Sequence, residues 1–128
     1  MTTQRQNKRG DFVFRLTFRN QAGETVDPPK RVDIRFTTEE KAGTFDARFL
    51  SDGSCLRCKR APEGIDVFVA LSRQYIGAGR MLVETVSIVP DKDFDGGEKR
   101  VASKASTSVL LWDGPSDGDI SVTGTIIL

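Results

Sequence analysis

The chain has 128 residues, 38% hydrophobic and 29% charged, with a formal net charge of +1 and no histidine. That length holds one core rather than two, and the near-neutral balance supplies no long-range field to steer nucleic acid or acidic substrates. Without an imidazole, Ser-His and Cys-His chemistry is excluded, and no apolar run approaches the ~20 residues of a membrane-spanning helix.

Residues 1–10 are polar and basic and lack the apolar stretch of a secretory signal. They are expected to form a flexible arm ahead of a single domain over residues 11–128. The domain opens with strict alternation. Phe12, Phe14, Leu16 and Phe18 share one face, and Val13, Arg15, Thr17 and Arg19 the other, which is the period of a half-buried strand. Asn20-Gln-Ala-Gly-Glu24 turns the chain, and Asp27-Pro-Pro29 stops the ladder because proline brings no amide donor. A second strand follows through Val32, Ile34 and Phe36, and a third through Phe45, Ala47 and Phe49.

Ser51-Asp-Gly-Ser54 has hairpin chemistry, with a short strand expected over Cys55 to Lys59 and a further strand through Ile65, Val67, Val69 and Leu71. Tyr75-Ile76 is expected to plug one end of the core. Arg80 to Val89 is apolar on both faces, as suits a central strand, and Pro90 to Gly97 is an acidic turn. A long strand from Glu98 to Trp112 ends at Asp113-Gly-Pro-Ser-Asp-Gly-Asp119. Ile120, Val122, Ile126 and Leu128 make the last strand. No helical period persists, so the pattern predicts an all-β, immunoglobulin-like antiparallel β-sandwich.

Few motifs carry chemistry. Cys55-Leu-Arg-Cys58 is a lone C-x-x-C. A tetrahedral zinc site needs four ligands, and a redox pair needs a strand-to-helix setting, so a structural role is expected. On a regular strand the two sulfurs point to opposite faces. Asp91-Lys-Asp-Phe-Asp-Gly96 opens like a calcium loop, but Ala102 stands where the bidentate glutamate belongs. Gly77-Ala-Gly79 lacks the third glycine of a phosphate loop, because Leu82 occupies it. Arg15, Arg19, Arg35 and Arg48 point outward among Asp33 and Asp46, which predicts cross-strand ion pairs on a solvated face. No metal or other cofactor is implied, and no nucleophile–base pair supports an enzyme.

The run Asp11-Phe-Val-Phe-Arg-Leu-Thr-Phe18, the turn to Val26 and Val32-Asp-Ile-Arg-Phe36 follow one another in a particular order. Gly64 to Leu71 then leads to Ile76-Gly-Ala-Gly-Arg-Met-Leu-Val-Glu84, and Leu111-Trp-Asp-Gly-Pro-Ser-Asp117 comes late. From Asp11 to Leu128 this order resembles the N-terminal β-sandwich domain of phage upper baseplate and tail-fibre proteins (the BppU-like group), as found in phages and prophages of gut bacteria. The resemblance implies a non-enzymatic structural protein of a virion tail, made and assembled in the bacterial cytoplasm. It would attach or organise receptor-binding components. Other tail or baseplate subunits and further copies of the chain are the expected partners, with neither nucleic acid nor membrane among them.

Contact is expected through the last strand, at Ile120, Val122, Ile126 and Leu128, with residues 113–128 as an exchangeable terminal strand. The alternative is a carbohydrate-binding or adhesin-type module, for which Tyr75 and Trp112, the only Tyr and Trp, would have to stack on sugar.

Overall fold

The computed structural model describes residues 3–118 and 122–128. Ten strands follow in order: β1 Gln4–Asn7, β2 Asp11–Arg19, β3 Thr25–Val26, β4 Arg31–Thr38, β5 Phe45–Leu50, β6 Cys58–Ala61, β7 Gly64–Ala70, β8 Gly79–Pro90, β9 Glu98–Trp112 and β10 Val122–Ile127. A single 3-10 turn, Asp95–Gly97, closes the hairpin between β8 and β9. The first sheet has the order β1-β9-β8-β4-β5, and the second β10-β2-β7-β6, with β3 on β2. The protein is an all-β sandwich.

Alternation along each strand builds the core. Phe14, Leu16 and Phe18 of β2 and Ile65, Val67 and Val69 of β7 face Val32, Ile34 and Phe36 of β4 and Phe45 and Phe49 of β5. Burying such side chains contributes about 1.5–3 kcal/mol each. The intervening residues of β4 and β5 form the expected ion-pair face. Arg48 meets Asp33 at 2.8 Å, and Arg35 meets Asp46 at 2.8 Å. Burial pushes the Asp33 carboxyl up, but the Arg31 and Arg48 guanidiniums that donate to it hold it below the ordinary value. Exposed pairs of this kind are worth only ~0.2–1 kcal/mol each, so the aromatic core dominates stability.

Two features depart from the sequence reading. Within the basic arm expected over residues 1–10, Gln4–Asn7 form a strand, β1, which pairs parallel with Val109 to Trp112 of β9 and buries Gln6. Its polar sequence hid this, because its hydrogen bonds come from backbone rather than from an apolar face. The sandwich is also not purely antiparallel, since β10 runs parallel to β2 from Val122–Phe14 to Ile127–Arg19. Direction depends on which strand β10 comes to lie beside, which local pattern does not encode.

Candidate functional site: the seam between the sheets

The two long sides of the sandwich are finished differently. On the β5–β6 side the sheets are tied together. Arg48 and Leu56 exchange backbone hydrogen bonds of 3.0 and 2.8 Å, and the Cys58 thiol donates to the Arg48 carbonyl at 3.1 Å. On the other side β9 and β10 are the facing strands, and they do not pair. A cleft of about 390 Å³ lies between them.

Local sequence explains the opening. Between β8 and β9 the register jumps, Arg80 opposing Leu110 and Leu82 opposing Ser106. This bulge divides β9, as bulges often do where a strand must bend. Beyond it, residues 109–112 are covered by β1, and β1 is itself covered by the following loop. Arg5 N donates to Asp117 Oδ2 at 2.9 Å, Asp117 N donates to Arg5 O at 2.9 Å, and Asn7 N donates to Ser116 Oγ at 3.1 Å. Before the bulge, residues 98–106 pair only with β8, so among the described residues no strand lies beside their outer backbone edge.

Small side chains line the cleft. Ser103 and Ala105 of β9 lie across from Gly124 of β10, above Phe14 and Leu16. Any Cβ at Gly124 would sit 3.1 Å from the Phe14 ring, so this glycine keeps the floor open. Thr85 also lines the cleft and is 3% exposed, and its hydroxyl has no hydrogen-bond partner among the described residues. Buried hydroxyls of this kind are uncommon and call for an explanation. The edge itself is basic, with Lys99, Arg100 and Lys104 against Glu98. Glu98 pairs with Lys30, and Lys104 with Glu84 at 3.2 Å. Lys99 and Arg100 have no ion-pair partner among the described residues.

Of the contact residues expected on the last strand, Val122 and Ile126 are buried core members, and Leu128 packs against them. Ile120 lies outside the described residues. What β10 offers to a neighbour is therefore its free backbone edge and the outward Thr123, Thr125 and Ile127, the last 47% exposed. Sequence alternation identified the strand but named its inward side chains, since the pattern carries no label for which face meets the core.

The other motifs resolve into structure. Tyr75 donates to Glu40 at 3.2 Å with the Arg9 guanidinium 4.5 Å above its ring, and Trp112 donates to the Pro115 carbonyl beneath Arg5. Each ring thus has an arginine over one face. Among the described residues, no three His, Cys, Asp or Glu side chains come together to hold a metal ion.

The cysteine geometry corrects the regular-strand expectation. Arg57 adopts a φ of 57° and β6 begins only at Cys58, so the two cysteines do not sit on one regular strand. Burial and then the Cys55 thiol push Cys58 up to about 12. At pH 8 it is therefore protonated and a poor nucleophile. Iodoacetamide at pH 8 is expected to leave Cys58 unmodified in the native protein and to label it in urea, read by peptide mass spectrometry. Fast native labelling would show the site to be open.

No family model, curated protein or solved structure matches this chain.

Proposed function

We propose that this protein is a non-enzymatic assembly module of a phage or prophage tail, one that joins baseplate or fibre components through the edges of its sheets. The observation that carries the reading is the free edge of β10, where no residue from Val122 to Ile127 is charged. Uncharged edge strands pair readily with another chain, and proteins that avoid such pairing usually place lysine, proline or a bulge there. The resemblance of the chain order to upper baseplate and tail-fibre domains supports the same reading.

We also read the topology as immunoglobulin-type. The orders β2-β7-β6 and β9-β8-β4-β5 follow B-E-D and G-F-C-C′ of a variable-type sandwich, and β10 stands beside β2 in the place of strand A, although parallel to it.

Light scattering across a concentration series tests the assembly role. The native chain is expected to form a stable oligomer, and Thr123→Lys, an exposed change on the β10 edge, to shift it toward monomer. Truncation is a poor substitute for this variant, because it would strip Val122 and Ile126 from the core. A native chain that is monomeric at every concentration would remove self-assembly from the proposal.

A further inference from the structure

We infer that the seam between β9 and β10 accepts one extended, acidic segment of a partner chain, which adds as a strand to the free edge of β9 in line with β1. The inference deepens the assembly reading above and rests on it. Three independent features of the seam converge on this occupant.

The first is backbone. Among the described residues, 98–106 present an unpaired strand edge, while the same strand beyond its bulge is already extended sideways by β1. An incoming strand would continue that layer, its main chain supplying affinity and alternate side chains supplying selectivity.

The second is space. A strand laid on this edge sends every other side chain into the cleft. There, Ser103, Ala105 and Gly124 leave room beside Phe14 and Leu16. Inward residues are therefore small or β-branched and apolar. On the opposite side of the sandwich the Arg48–Leu56 bridge ties the sheets together, and the smaller opening there, about 290 Å³, is lined by Phe49, Cys58, Lys59 and Arg60 instead of a run of small residues.

The third is charge. Lys99 and Arg100 have no ion-pair partner among the described residues, whereas Glu98 is engaged by Lys30 and Lys104 by Glu84. A second copy pairing edge to edge would bring two such basic runs together, and like charges on adjacent strands are destabilising. An acidic strand meets the same edge favourably. Edge cations also deter indiscriminate pairing, but that role does not account for an open cleft behind them.

The test uses a capped, fluorescent peptide of about eight residues, within the usual strand length, alternating valine and glutamate. Its counterpart alternates valine and lysine. By anisotropy, the glutamate peptide is expected to bind the full chain about tenfold or more tighter than the lysine peptide. Ala105→Trp, which fills the cleft, is expected to weaken binding about tenfold or more, and the exposed Arg100→Glu to narrow the preference between peptides. Circular dichroism checks that both variants remain folded, and Arg100→Glu serves should Ala105→Trp not fold. Amides from Val101 to Ser106 are expected to gain protection from hydrogen exchange on binding.

Equal binding of both peptides, binding indifferent to a folded Ala105→Trp, or no protection at those amides would overturn the inference. So would a homodimer that Ala105→Trp dissolves, since the occupant would then be a second copy. An oligomer that Ala105→Trp leaves intact, together with an empty seam, would sink this inference alone. A permanent monomer with an empty seam would take the assembly reading down with it.

Discussion

Replacing Phe36 with alanine is expected to cost about 3–5 kcal/mol, the range for removing a large aromatic from a packed core. Phe36 is fully buried on β4, its ring centroid 5.2 Å from Phe14 of the opposite sheet in an edge-on arrangement and 6.3 Å from Phe45 on the adjacent strand. It therefore joins the two layers as well as two strands of one layer. Neighbouring side chains on paired strands cannot collapse into the space without pulling the sheets together. A domain of this size has ~5–15 kcal/mol in total, so the variant is expected to lose a large fraction of its stability and, at the low end of that range, to sit near its unfolding midpoint without denaturant. Urea unfolding followed by circular dichroism measures this. A cost under ~1.5 kcal/mol, about that of deleting a single methylene, would mean that the ring does not pack between the sheets as described.

Gly64→Ala is expected to lose about 3 kcal/mol, at the upper end of what overpacking does. Gly64 opens β7 opposite Thr17 of β2, and any Cβ there would overlap the Leu16 carbonyl oxygen and crowd the Leu16 carbonyl carbon and Thr17 Cα. A side chain in that position could rotate aside. Backbone of a strand paired on both sides cannot, because β2 is held by β10 on one edge and β7 on the other. The relief must come from parting β2 and β7, so amides of Leu16 to Phe18 should exchange faster along with the fall in urea midpoint. Glu63→Ala, one residue earlier and exposed, should leave both nearly unchanged. A Gly64→Ala protein as stable as the parent would show that the two strands are further apart than the register states.

Strand identity was legible wherever one face is buried. The alternation of Phe12 to Arg19 became β2, Glu98 to Trp112 became β9 to the residue, and the outward arginines of β4 and β5 found their cross-strand aspartates. β1 and β3 were not legible. Neither strand has an apolar alternation of its own, and each exists because a neighbour offers a ladder of hydrogen bonds. The departure of Cys55 and Cys58 from one regular strand escaped for a related reason, since it depends on one positive φ at Arg57, a residue type that does not announce it.

The seam is the clearest division between the two levels. Its ingredients stand in the sequence: the small residues Ser103, Ala105 and Gly124, the basic run at Lys99, Arg100 and Lys104, and an uncharged last strand. An all-β chain with an aromatic core can be read from the residues alone, because period-two burial is a local property of each segment. That β9 and β10 face each other unpaired, that among the described residues β1 covers only one half of β9, and that Val122 and Ile126 point inward emerge only in the folded chain. Those outcomes depend on which distant strands become neighbours, and that choice is made by packing two whole sheets against each other rather than by any one segment.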